Sequence, residues 1–116
     1  HNIGVIVYSP MQAGMLSGKM TAERVAALPE DDWRRRTPEF QEPRLSKNLA
    51  FVEVLRRVGA RHGASPGAVA VAWALRNPAV TAAIVGFRRP RQVEEMVGAA
   101  ELQLTDADAR EIEVVC

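Results

Sequence analysis

The chain of 116 residues has little of what marks several large classes of protein. Its one cysteine, Cys116, cannot form a disulfide within the chain, so we expect a reducing, cytoplasmic compartment. Its 15 basic and 14 acidic residues leave a net charge of +1, which gives no argument for a nucleic-acid or membrane partner. No apolar run is long enough to span a bilayer, and no signal peptide precedes the first predicted strand. These absences leave one small domain, for which we predict no metal site.

Two short apolar runs predict β-strands, over residues 3–8 and 81–86. Both are rich in valine, isoleucine or alanine and apolar on both faces, which is typical of parallel strands covered on two sides. Between them, residues 20–44 are polar and contain three prolines, which predicts a long loop with one short helix at 21–27. Trp33 is expected to anchor this loop.

Four further segments predict helices. One runs from Ser46 to about His62, with apolar residues on one face and charged residues on the other, and Gly63 is a natural stop. Ser65 and Pro66 are a start signal for a second helix over 66–77, which is apolar nearly all round and therefore expected to be buried. A third begins at Pro90, and a fourth follows Thr105, whose spacing to an acidic residue resembles a capping box.

Strands that alternate with helices predict parallel βα units with right-handed crossovers. Two strands that are apolar on both faces cannot form a complete parallel sheet. Neighbouring strands must come from elsewhere, either a missing part of the chain or another copy. The chain opens with His1 rather than methionine, which favours a piece of a longer chain over a processed terminus.

The second strand ends in residues that suit an anion. Gly86 lets a ligand approach the backbone, Arg88 and Arg89 offer bidentate phosphate donors, and the helix that starts at Pro90 offers free N–H groups. In parallel βα folds, ligands bind at this end of the strands. On these residues alone, a solvated basic loop is an equally good interpretation.

The first strand ends in similar chemistry. Ser9 supplies a hydroxyl, Gly14 and Gly18 free the backbone, and Lys19 supplies a positive charge. The spacing is not that of a P-loop, so this signal is weak by itself.

Taken together, the two stretches resemble a known family. "YSPMQAGMLSGK" (8–19) and "SPGAVAVAWALRNPAVTAAIVGFRRPRQVEEM" (65–96) are similar, in order and spacing, to the C-terminal part of aldo-keto reductases. "LPEDDWRRRTPEFQ" resembles the loop of the subgroup related to potassium-channel β-subunits and inositol-utilisation reductases. The resemblance covers essentially residues 1–116. It implies an α/β fold: the C-terminal part of a (β/α)8 TIM barrel, comprising its last two βα units and a C-terminal helix.

The resemblance also implies NADPH as cofactor. Tyr8 would stack near the nicotinamide, Lys19 would reach a phosphate, and Arg88 or Arg89 would meet a 2′-phosphate. The full set of cofactor-binding residues that it implies is Tyr8, Ser9, Pro10, Met11, Gln12, Ala13, Lys19, Gly86, Arg88, Arg89, Gln92, Glu95 and Met96. In two places the sequence departs from the family pattern: Met96 stands where an asparagine is usual, and Phe87 replaces a small residue.

No catalytic residue is predicted within the chain. The family's Asp, Tyr, Lys and His come from earlier strands. The complete enzyme would therefore reduce a small-molecule aldehyde or ketone, while the 116-residue chain alone would be inactive. One alternative is a non-catalytic, NADP-sensing subunit of the same fold. Another is a helix-turn-helix DNA reader over 46–77, which is disfavoured because its second helix has no polar face for a groove.

Overall fold

Two parallel strands form the sheet in the part of the chain that the structure describes. The computed structural model describes residues 3–115, so His1 and Cys116, which the sequence analysis also considered, lie outside it together with Asn2. Strand β1 (Val5–Tyr8) pairs with β2 (Val80–Ile84), with one irregularity between Val5 and Ile6. The predicted parallel pairing is confirmed, although both strands are shorter than the predicted ranges.

Five α-helices lie in the described part of the chain. They are α1 (Ala22–Ala26), α2 (Arg44–His62), α3 (Pro66–Leu75), α4 (Pro90–Val97) and α5 (Asp106–Glu113). The start signals for α3 and α5 are confirmed, because Ser65 and Thr105 each accept a hydrogen bond from a backbone N–H in the first turn. No helix within residues 3–115 is long and apolar enough to cross a membrane.

The predicted start of α2 at Ser46 is wrong by two residues, since the helix begins at Arg44. The carboxylate of Glu42, which precedes the helix, accepts hydrogen bonds from the backbone N–H and the hydroxyl of Ser46 at 3.3 and 2.8 Å. A side chain four residues earlier therefore takes the capping role, and the serine lies inside the first turn. The predicted end of α3 at residue 77 is also too late, because the helix stops at Leu75.

The long loop contains two 3₁₀ turns, Trp33–Arg36 and Pro38–Phe40. Phe40, only 4% exposed, holds the loop to the core, whereas Trp33 is 61% exposed. The prediction that Trp33 anchors the loop is therefore wrong. Phe40, which lies beside α2, anchors the loop instead.

The main core lies between α2 and α3. Leu45, Val52, Leu55 and Val58 form the buried face of α2, as predicted. Residues 66–72 of α3 are all buried, which confirms that this helix is enclosed. A second, smaller apolar cluster lies between α3, β2 and α4, and it comprises Ala68, Val71 and Ala99 with Met11, Ala83, Val85 and Met96 packed against them.

One face of the sheet is covered by α3 and the other is open. Ala83 packs against the second cluster, while Ile6 and Ile84 are 60% and 61% exposed. The sequence predicts cover on both faces, and within residues 3–115 only one is covered.

Candidate functional site

The carboxyl ends of β1 and β2 lie side by side, because Tyr8 pairs with Ile84 in a parallel register. Residues 9–19, here called the first loop, and residues 85–89, the second loop, therefore leave the sheet at the same edge. All the residues that the resemblance implies for cofactor binding lie on these two loops, on the last residue of β1 or on α4. Tyr8 itself is 82% exposed at this edge.

The first loop has an unusual backbone. Ser9, Gln12 and Ala13 have φ angles of 51°, 45° and 55°, in the left-handed region that non-glycine residues seldom adopt. A 3₁₀ segment over Gln12–Ser17 is kinked at Ala13 and Gly14. Each such residue costs about 1–3 kcal/mol and persists only where its surroundings hold it, and such residues cluster at ligand-binding loops.

Neighbouring helices hold the first loop in place. Gly18 lies so close to α3 that a Cβ on it would be 2.7 Å from Cγ of Pro66. Arg56 of α2 donates a hydrogen bond to the Gly18 carbonyl at 2.9 Å. Further back in the loop, the side chain of Met11 packs into the second cluster, and its carbonyl accepts a hydrogen bond from Gly14 N–H at 3.1 Å.

The second loop presents two exposed arginines. Neither Arg88 nor Arg89 has an ion-pair partner for its guanidinium among residues 3–115. Their backbone N–H groups both donate to Oε1 of Gln92, at 2.8 and 3.0 Å. These two amides precede α4, so they are not available to a ligand in addition to the N–H groups of its first turn, and the positive charge of the loop comes from its side chains.

An ion pair links the first loop to α4. Nζ of Lys19 lies 3.0 Å from Oε2 of Glu95, whose other oxygen lies 3.7 Å from Arg91. Both residues are implied cofactor contacts, and here they contact each other. Their side chains are 55% and 35% exposed, so the pair stabilises the fold by at most about 1 kcal/mol.

Met96 points inward from α4. A Cβ on Gly67 of α3 would lie 3.2 Å from Cε of Met96 and 2.8 Å from Cε of Met11. Gly67 and Arg56 are not among the predicted site residues. Gly67 lies within the quoted stretch 65–96, but only the packing of α2 and α3 on the first loop shows that these two residues reach the site.

Asp32 of the long loop is influenced by the positive charge of Arg88 on the second loop. Asp32 accepts hydrogen bonds from Arg34, which lower the pKa of its carboxyl to about 2, with a smaller contribution from the charge of Arg88. The shortest contact in this pair, between Nη2 of Arg34 and Oδ2 of Asp32, is 2.6 Å. Asp32 is therefore ionised and paired at neutral pH.

Comparisons with known proteins agree on one family. The sequence model of the Aldo/keto reductase family matches residues 1–115. Among curated relatives, the aldo-keto reductase yakc [NADP(+)] of Schizosaccharomyces pombe is 31% identical over 116 residues, which is 100% of this chain and 34% of that protein. The aldo-keto reductase YhdN of Bacillus subtilis is 32% identical over 116 residues, with 99% and 34% covered.

A solved structure agrees with these matches. The glycerol dehydrogenase AKR11B4 from Gluconobacter oxydans superimposes with a TM-score of 0.86 at 33% identity, over 99% of this chain and 34% of that one. The chain thus spans about a third of the length of the relatives it matches.

Proposed function

The chain belongs to the aldo/keto reductase family and has the fold of part of a (β/α)8 barrel, and we propose that it is the cofactor-binding C-terminal part of an NADPH-dependent carbonyl reductase. A relative whose name includes NADP(+) supports the choice of cofactor. The complete protein would supply the other strands of the barrel and the proton donor.

One observation carries the proposal. The paired carboxyl ends of β1 and β2 bring a conformationally constrained loop and two exposed arginines to one edge of the sheet, and neither arginine has an ion-pair partner within residues 3–115. A dinucleotide has two anionic parts, the pyrophosphate and, in NADP, the 2′-phosphate. Guanidinium groups bind phosphate bidentately, so the second loop suits the additional phosphate.

The proposed roles follow the order of the residues along the edge. Tyr8 provides an exposed ring for the nicotinamide, and Ser9 with Pro10, Gln12 and Ala13 provides the wall along the pyrophosphate. Lys19 adds a positive charge, which it shares with Glu95 in this structure. Arg88 or Arg89 binds the 2′-phosphate beside Gly86, where a substituent would meet nothing within 4 Å.

Three of the implied contacts need a different description. The side chain of Met11 lies in the second cluster, so only its backbone is proposed to face the cofactor. Gln92 uses its amide oxygen to hold Arg88 and Arg89, which leaves its NH₂ group for the ribose. Met96 supports α4 from the inside.

Bound NADPH would supply the hydride that reduces an aldehyde or ketone to an alcohol. The residues of this chain would bind and orient it, because rate enhancement by hydride donors depends on holding the reacting atoms in contact. The general acid that protonates the carbonyl oxygen is proposed to lie outside the chain.

The test is an assay of NADPH consumption with 4-nitrobenzaldehyde, using the complete protein and the 116-residue chain in parallel. We expect turnover by the complete protein only, since loss of a general acid typically costs about 10²–10⁴-fold. Binding of NADPH without turnover by the complete protein would favour the cofactor-sensing subunit. Absence of NADPH binding by the complete protein would contradict the proposal.

A proposal about partners follows from the open face of the sheet. Ile6 and Ile84 are exposed there, which suits further barrel strands of the complete protein or, failing those, a second copy of the chain.

A further inference from the structure

Two methionines meet over one glycine beneath the proposed cofactor site. Gly67 is the second residue of α3 and is buried. A Cβ built on it would lie 2.8 Å from Cε of Met11, on the first loop, and 3.2 Å from Cε of Met96, on α4. Side chains from the first loop and from α4 therefore both pack against the backbone of Gly67.

The start of α3 also contacts the other end of the first loop. Pro66, the neighbour of Gly67, lies against Gly18, where a Cβ would be 2.7 Å from its Cγ. Pro66 and Gly67 therefore support the loop at two points seven residues apart in sequence, Met11 and Gly18. A side chain at position 67 would press against the Met11 end of the loop, while the Gly18 end lies against the ring of Pro66.

The same contact decides how far α4 lies from the loop. Met96 and Val85 pack with Met11 against Ala68 and Val71 of α3, so the second cluster joins both halves of the proposed site. The ion pair of Lys19 and Glu95 also links the first loop to α4, but it is exposed and can adjust its length at little cost. Close-packed apolar contacts have less freedom than an exposed ion pair, even where methionine side chains can rotate.

We infer that Gly67 is a positioning residue for the dinucleotide site: the absence of a side chain there sets the separation between the first loop and α4. This inference rests on the proposed function, because the separation matters only if both segments bind one ligand. Methionine is flexible, so a single methyl group would be partly accommodated by rotation of the two thioethers, and a larger side chain would displace the segments themselves.

The test uses the complete protein and measures its dissociation constant for NADPH together with its thermal unfolding midpoint. Gly67→Ala should weaken NADPH binding by about threefold and Gly67→Val by about tenfold or more, because small displacements at a binding site have large effects. Gly67→Val with Met96→Ala should recover part of that loss, since the shorter side chain vacates the space on the α4 side while the closer contact with Met11 remains. Gly98→Ala is the matched control: Gly98 has a helical φ of −65° and nothing within 4 Å of its Cβ position, so binding should be unchanged.

A purely structural role for Gly67 predicts another pattern. Gly67→Val would then lower the unfolding midpoint while the folded protein kept the NADPH affinity of the wild type, and this result would overturn the inference. Failure of Met96→Ala to recover any affinity would also overturn it. If the wild-type protein itself did not bind NADPH, the proposed function would fail and the inference with it, whereas normal wild-type binding with unchanged Gly67 variants would refute the inference alone.

Discussion

Arg88 and Arg89 keep their guanidinium groups exposed, while the side-chain oxygen of Gln92 accepts hydrogen bonds from their backbone N–H groups. The sequence predicts the positive charge at this position, because arginine before a helix is visible as a pattern. It does not predict how Gln92 is used, since a glutamine three residues into a helix has several possible partners and tertiary geometry selects among them. The inward direction of Met96 is equally invisible in the sequence, because it depends on the missing side chain of Gly67.

The role of Arg88 can be tested by its preference between cofactors. Arg88→Ala in the complete protein should reduce NADPH affinity by about 1.5–3 kcal/mol, as expected for a charged hydrogen bond, and leave NADH affinity nearly unchanged. Binding titrations with both cofactors measure this difference. Arg91→Ala is the control, because Arg91 is 87% exposed and its nearest acidic contact is Glu95 on its own helix. Equal losses for NADPH and NADH would count against contact with a 2′-phosphate and would move attention to Arg89.

At the scale of elements, α5 is attached to the end of α2 through one buried carboxylate. Asp108, 3% exposed, accepts hydrogen bonds from Arg61 at 2.7 and 3.2 Å and from Thr105 N–H at 3.0 Å, and its Oδ2 lies 2.7 Å from Nε2 of His62. Burial acts to raise the pKa of Asp108, but these hydrogen bonds outweigh it and hold the pKa well below its usual range. The hydrogen bonds between Thr105 and Asp108 could be predicted from the capping-box spacing. Arg61 and His62 could not, because they lie on α2, 47 and 46 residues before Asp108.

This junction should govern part of the acid sensitivity of the protein. Because the carboxyl of Asp108 has a lower pKa in the folded than in the unfolded state, its contribution is complete above about pH 4 and is lost as the pH falls through the folded pKa. Asp108→Asn should therefore reduce the free energy of unfolding at neutral pH by about 2–3 kcal/mol and flatten its decline in acid. Denaturant unfolding of the complete protein between neutral and acidic pH measures both effects.

Asp106→Asn is the control for this prediction. Asp106 pairs with Arg76 but is 78% exposed, so its loss should change stability by less than about 0.5 kcal/mol. The same decline in acid for Asp108→Asn and the wild type would contradict the role given to Asp108. Glu111, whose pKa is lowered by its hydrogen bond with Arg61, should preserve some acid dependence in the variant.

At the scale of the whole molecule, the helices form a core while the sheet lacks cover on one face. Sequence patterns predicted this division in part: α3 is apolar all round and buried, and the strands are apolar on both faces although just two lie in the described part of the chain. Alternation along a strand reports which faces need cover, but it contains no information about what covers them. For that reason the sequence left both a longer chain and a second copy open.

The open sheet predicts the behaviour of the chain in isolation. Burying a valine or isoleucine contributes about 1.5–3 kcal/mol, so losing the opposite wall removes a large part of a marginal stability. Parallel strands with free edges also promote association. We expect the 116-residue chain to be a molten species with substantial helix or a self-associated one, as measured by sedimentation and denaturant unfolding. A concentration-independent monomer with sharply cooperative unfolding would show that the two βα units need no further cover.

In the proposed site, the first loop and the α4 region bind NADPH together. Hydrogen–deuterium exchange of the complete protein, with and without saturating NADPH, is the decisive measurement, because exchange slows where a ligand restrains the backbone. We expect slower exchange in residues 9–19 and 85–96, with α5 unchanged as an internal reference. Saturation with NADPH that slows exchange only outside both segments would contradict this expectation.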